Sequence, residues 1–189
     1  MFTLANSSCG SGAVFSTMRF LDGREVRDLF VSVALVSIAF LFDVIDGRVA
    51  RWLKSSSALG RELDSLADVI SFGVAPACLA FACGMRGGWD LAVLCYFICC
   101  GVSRLARYNI IAERLSSAEE KVKYFEGTPI PTSLILVAVL GSAIWEGKIN
   151  DELWWGSVQI GPWQLHPLVL MFALSGSLMI SRALRIPKL

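Results

Sequence analysis

The stretch LFVSVALVSIAFLF, residues 29–42, carries no charge, and the chain then reads Asp43-Val-Ile-Asp46. A bilayer-spanning helix needs about 20 mostly apolar residues. A helix that runs on from this stretch therefore carries two carboxylates at its end. The whole chain fits that setting: 189 residues, 55% hydrophobic and 17% charged, with a mean hydropathy of +0.61. A soluble domain carries about 25% charged residues, so this chain is displaced toward the bilayer.

Further apolar stretches follow at residues 69–84, 91–102, 132–145 and 168–180, and residues 3–20 make a first candidate rich in Ser, Gly and Asn. Small residues suit a helix packed closely against others, so residues 3–20 are counted as a span. A secretory signal peptide is the competing reading, but no basic segment precedes the stretch and no clear cleavage site follows it. The expectation is an all-α integral membrane protein, a six-transmembrane-helix bundle forming one domain over residues 1–189. Six spans put both termini on one side. Twelve of the 17 Lys and Arg then share that side, so it is the cytoplasmic one under the positive-inside rule. Arg19, Arg24 and Arg27 crowd a loop on the other side. Trp145, Trp154, Trp155 and Trp163 mark a non-cytoplasmic interface.

Composition also excludes several classes. A net charge of +1 argues against a nucleic-acid binder. The six cysteines lack paired CxxC units and there is one histidine, His166, so neither a disulfide scaffold nor a zinc site is expected. Those cysteines read as buried small hydrophobes.

The informative residues are four aspartates. Asp43 and Asp46 share a helical face with Gly47 and Ala50, while Asp64 and Asp68 stand at i and i+4 on the next helix. An aspartate at the centre of a span costs about 2.5–3.5 kcal/mol on the insertion scale, and converging like charges cost more. No lysine or arginine is interleaved to pair all four. A divalent ion clamped between the two helices resolves the conflict, and all-oxygen ligation selects Mg²⁺, Mn²⁺ or Ca²⁺. Gly47, Ala50 and Gly60 leave room beside the acids for a planar group or a phosphate. Arg48 and Arg51 supply guanidinium forks suited to phosphate oxygens. A cation-transport protein is the alternative from another class. The acids, however, lie at one end of the bundle beside arginines rather than at the midplane, where a permeation path would want them.

Taken together, Asp43-x-x-Asp46-Gly47-x-x-Ala50-Arg51, eight residues, Gly60, three residues, Asp64, three residues, Asp68 resembles the signature of the CDP-alcohol phosphatidyltransferase family, matched at every fixed position from 43 to 68. Asp64-Ser-Leu-Ala-Asp68-Val-Ile-Ser71-Phe-Gly-Val-Ala-Pro76-Ala, Arg104-Leu-Ala-Arg107-Tyr108-Asn109 and Lys123-Tyr-Phe-Glu-Gly-Thr-Pro129-Ile-Pro131-Thr are similar to the phosphatidylserine synthase branch. The tail, from His166 to Lys188, resembles the fungal type of that branch, whose members carry a cytoplasmic segment ahead of the first helix.

The resemblance implies six spans and a metal site of two ions, Mg²⁺ or Mn²⁺, at the cytoplasmic end. It implies Asp43, Asp46, Asp64 and Asp68 as metal ligands, with Asp68 also the catalytic base. CDP-diacylglycerol would lie against Gly47, Ala50, Arg51 and Gly60. L-serine would meet Arg104 and Arg107 through its carboxylate, with Ser71 and Asn109 as hydrogen-bonding candidates. The products would be phosphatidylserine and CMP. The signature alone leaves inositol, glycerol phosphate or an amino-alcohol open as acceptor. The branch implies the endoplasmic reticulum membrane in a eukaryote and the plasma membrane in a bacterium, and the family admits a homodimer. Pro76, Pro129 and Pro131 are read as setting kinks or helix starts, and His166 as structural.

Overall fold

The computed structural model describes residues 2–53, 58–118, 124–126, 128–181 and 185–187. The chain is mostly helical. Helices α1 (Phe2–Gly23) and α2 (Val26–Leu53) precede α3 (Ala58–Asp68), which continues through a π-helical stretch, Val69–Val74, into α4 (Ala75–Cys83). Helices α5 (Gly88–Ala118), α6 (Leu134–Trp145) and α7 (Leu170–Ile180) complete the set. Three rods are long and apolar enough to cross a bilayer: Val26–Val49, Leu59–Cys83 and Gly88–Ile110. Ile130–Trp145 and Pro167–Ile180 are shorter apolar rods. Large apolar side chains such as Phe15, Ile38, Leu41, Ile135 and Leu174 point outward, as in a protein solvated by lipid.

Both acid-bearing helices extend further than the apolar runs suggest. Helix α2 continues about two turns beyond Asp46, and the rod that follows it starts at Ala58 instead of after Asp68. All four aspartates therefore lie within helices. Lys54, one of the twelve basic residues counted on the side of the termini, lies outside the described residues.

Helix α1 shows how the bundle closes. Its buried residues, Asn6, Gly10, Ala13, Ser16, Thr17 and Phe20, recur at helical spacing along one face. Most are small, because the outer face meets lipid and hydrophobicity cannot distinguish inside from outside there. A Cβ on Gly10 would stand 2.3 Å from Ser71 Oγ and 2.8 Å from Ser71 Cα, so only glycine lets α1 approach the π-helical stretch this closely. Gly176 does similar work on α7, where a Cβ would stand 3.3 Å from Phe97 Cα. Around these contacts lies a core of Phe72, Leu79, Phe97, Leu140 and Phe172, with Phe97 and Phe172 packed edge to face at 5.2 Å.

The π-helical turns have a local cause. Pro76 has no N–H and its ring crowds the carbonyl four residues back, so the i→i−4 ladder cannot run through it. The backbone N–H of Ala75 instead reaches Ile70 O, five residues back. Pro76 thus sets a distortion within the rod, as the sequence suggests.

The far end carries a ribbon that the all-helical expectation omits. Strand β2 (Val158–Ile160) pairs antiparallel with β3 (Trp163–Leu165) around Gly161, whose φ is +63°. It lies on the start of α5, where Gly87 and Gly88 leave no Cβ to collide with Gln164 and Trp163. Buried Asp90 fastens it: Oδ1 accepts from the His166 N–H at 2.8 Å, and Oδ2 lies 2.6 Å from His166 Nδ1. His166 is structural in this sense. A second ribbon pairs β1 (Tyr124–Glu126) with β4 (Arg185–Pro187). All six cysteines are free; Cys83 and Cys100 are buried as expected, whereas Cys95 and Cys99 face outward.

Replacing Gly10 with Val should destabilise the protein by about 1–3 kcal/mol through overpacking against Ser71. Thermal unfolding in detergent should show a lowered Tm, and an unchanged Tm would mean that α1 does not sit this close.

Candidate active site

Asp43 on α2 and Asp64 and Asp68 on α3 each offer a carboxylate oxygen, and these three oxygens lie within 4.8 Å of one another. The meeting follows from spacing. Asp64 and Asp68 are one turn apart, so both project from α3 toward the same neighbour. Asp43 and Asp64 are half-buried and Asp68 is buried. Asp46, one turn on from Asp43, is outside that trio and accepts a hydrogen bond from the Thr3 hydroxyl of α1.

Helix α1 makes a second polar contact that the sequence reading does not contain. Asn6 Nδ2 donates to Asp68 Oδ1 at 3.4 Å, and Asn6 is fully buried. Its Oδ1 has no hydrogen-bond partner. The only sequence signal for it was an Asn within the small-residue face of α1.

Beside the acids opens a cavity of about 430 Å³. One wall is Arg61, Asp64, Ser65 and Asp68, the i, i+3, i+4, i+7 stripe of α3. Arg104, Leu105, Tyr108 and Asn109 of α5 form the opposite wall, and Pro129 and Pro131 close it. The two prolines therefore do more than start the 3₁₀ turn at Ile130–Ser133: they touch the space where a substrate would lie. Asn109 bridges the walls, its Nδ2 donating to Glu62 Oε1 at 3.2 Å and to Ser65 Oγ at 3.0 Å. The Arg104 Nε is buried without a hydrogen-bond partner. An unpaired guanidinium N–H on a cavity wall suits an anionic group of a ligand.

The expected site residues separate on this geometry. Arg104 and Asn109 reach the cavity. Arg107 instead directs Nη1 to the carbonyl of Ile180 at 3.4 Å, tying α5 to the end of α7. Ser71 is fully buried away from the cavity lining, and its hydroxyl donates to the backbone carbonyl of Asn6 at 3.1 Å. Gly47 is exposed on α2, and a Cβ there would meet nothing within 4 Å, which agrees with open space beside the acids. Gly60 is exposed on α3. The side chains of Ala50 and Arg51 lie outside the described residues. Arg61 and Tyr108 are cavity residues that the sequence reading did not select; Arg61 stands three residues before Asp64 on the same helical face.

The donor set fits a hard divalent cation. It is all oxygen, its three carboxylates converge, and the unpaired Asn6 Oδ1 is a buried acceptor on the residue that holds Asp68. Three carboxylates this close repel one another when ionised, and a cation or a bound proton relieves that repulsion.

Comparison with known proteins identifies the family. The sequence profile of the CDP-alcohol phosphatidyltransferase family matches residues 1–175. A CDP-diacylglycerol–serine O-phosphatidyltransferase of Saccharomyces cerevisiae is 40% identical over 98% of this chain and 68% of its own length. One of Bacillus subtilis is 32% identical over 74% of this chain and 72% of its own. One of Mycobacterium bovis is 37% identical over 67% of this chain, which spans only 44% of that relative. With the profile covering most of the chain and the acids meeting as described, this protein belongs to the CDP-alcohol phosphatidyltransferase family.

Proposed function

We propose that the chain, acting as one membrane domain over residues 1–189, transfers the phosphatidyl group of CDP-diacylglycerol to the hydroxyl of L-serine, giving phosphatidylserine and CMP. The observation that carries this reading is the convergence of Asp43, Asp64 and Asp68 beside a cavity walled by Arg61 and Arg104. Serine as acceptor rests on the relatives, which are serine phosphatidyltransferases from yeast and bacteria. Membership of this family speaks against the cation-transport alternative.

Asp43, Asp46, Asp64 and Asp68 would hold one or two Mg²⁺ or Mn²⁺ ions. When bound, these neutralise the pyrophosphate and the charge that develops on departing CMP. The chain's own residues do the rest. Asp68 stands at the junction of the acid cluster and the cavity, placed to take the hydroxyl proton of serine as its oxygen attacks the β-phosphorus. A new oxygen–phosphorus bond forms, the pyrophosphate bond breaks, and CMP leaves with the electron pair. Arg104 offers its buried Nε–H to the serine carboxylate, and Asn109 and Tyr108 line the same wall. Gly47 and Gly60 keep the approach to the acids open for the nucleotide, with Ala50 and Arg51 following on α2.

The bundle is read as six spans, with α1 and the two shorter apolar rods joining the three longer ones. The positive-inside count supports acids that face the cytoplasm, from the endoplasmic reticulum membrane in a eukaryote or the plasma membrane in a bacterium. Every residue named comes from one chain, so a homodimer would carry two such sites.

Purified protein given CDP-diacylglycerol and Mn²⁺ should release CMP with serine and not with inositol or glycerol 3-phosphate. Release only with another alcohol would keep the chemistry and discard the acceptor. No release with any acceptor would contradict both. Replacing Arg104 with Met should raise the KM for serine by about ten- to a hundredfold, the loss of a charge-assisted hydrogen bond of roughly 1.5–3 kcal/mol, and leave the KM for CDP-diacylglycerol within about twofold. A rise in the KM of the lipid instead would move Arg104 to the nucleotide or phosphate.

A further inference from the structure

Two residues of α1 reach acids on other helices. Thr3 donates to Asp46 and Asn6 donates to Asp68, and the two stand at i and i+3, one above the other on the same face. Neither belongs to the stretch 43–68 that carries the acids. Asn6 is the more telling of the pair. It is fully buried where small residues otherwise line the helix, and a buried amide costs stability unless its polar atoms have work to do.

Its surroundings hold it in place. Ser71 Oγ donates to the Asn6 backbone carbonyl at 3.1 Å, and Gly10, one turn on, lets α1 close onto the same serine. Among the described residues, the hydrogen bond that the Asp68 carboxylate accepts comes from this amide, while Arg104 acts on it through charge alone. A carboxylate on a single side-chain bond rotates, and one fixed donor on Oδ1 selects the orientation it presents to Asp43 and Asp64. Partners of this kind fix metal-binding groups, and removing one costs about 10–100-fold in metal affinity or activity.

We propose that Asn6 is a positioning residue for the acid site: through its hydrogen bond to Asp68 it fixes that carboxylate in the orientation used for ion binding and turnover. This rests on the reading of the acids as a divalent-metal site. Ser71, expected from the sequence to meet serine, serves here as the anchor of Asn6.

The test compares unaltered protein with Asn6→Ala and Asn6→Leu, the latter sharing asparagine's branched side-chain skeleton without its polar atoms. Thr17→Ala is the control. Thr17 is a buried residue of the same helix whose hydroxyl, among the described residues, bonds only to Val14 O, within α1. Free Mn²⁺ measured by electron paramagnetic resonance gives the affinity without substrates, and CMP release gives kcat and the KM for serine. Both Asn6 variants should bind Mn²⁺ about 10–100-fold more weakly and lose kcat, with the KM for serine within about twofold, while Thr17→Ala stays near the unaltered protein. Asn6 variants that match the unaltered protein in Mn²⁺ affinity would overturn the proposal, whatever their kcat. So would an equal loss in Thr17→Ala, which would mean a general loosening of α1. If the unaltered protein bound no Mn²⁺, the metal-site reading would fail and the proposal with it. If it bound Mn²⁺ and the Asn6 variants bound it equally, only the proposal would fail.

Discussion

Carboxylates inside apolar helices repel one another and are poorly solvated there, so a fold that brings Asp43, Asp64 and Asp68 together must supply both a rigid frame and a compensating charge. Much of the structure answers to that requirement. Helix α2 runs on past Asp46, and α3 begins before Asp64 and continues beyond Asp68 as the π-helical stretch, so the carboxylates project from within rods instead of from fraying ends. Helix α1 closes over them with polar side chains at Thr3 and Asn6. The arginines near the site, Arg61 and Arg104, stand in the cavity wall beside the acids, and Arg104 is close enough to Asp68 for their charges to attract.

Close approach is the second condition. Lipid removes hydrophobicity as a guide to which side of a helix faces inward, so the chain uses size: Gly10 against Ser71 and Gly176 against Phe97 bring backbones together. The π-helical turns ahead of Pro76 belong to the same contact. Ser71 lies in those turns and reaches the carbonyl of Asn6, which in turn holds Asp68. A distortion forced by one proline thus sits two hydrogen bonds from the acid assigned as base.

The sequence made the helices and the acids legible because their signals are local. Periodicity alone placed Asp64 and Asp68 on one face, and spacing carried the family resemblance. Tertiary facts were not legible. Nothing in the run Arg104 to Asn109 says that Arg104 turns into the cavity while Arg107 ties down the end of α7. Ser71 was a hydrogen-bonding candidate for serine, in a stretch similar to the phosphatidylserine synthase branch, yet its hydroxyl faces α1. Asn6 was hidden for the opposite reason, lying far from the acids in sequence and next to them in space. The short ribbons escaped because three-residue strands carry too little alternation to stand out from a loop.

The central claim is that these carboxylates hold a divalent cation. Anomalous scattering from crystals of the protein grown with Mn²⁺ tests it most directly. The account predicts a peak bonded to oxygens of Asp43, Asp64 and Asp68 at about 2.0–2.2 Å, with Asp46 joining if a second ion binds. Manganese absent from this cluster, or bound elsewhere at full occupancy while the three acids stay bare, would contradict it.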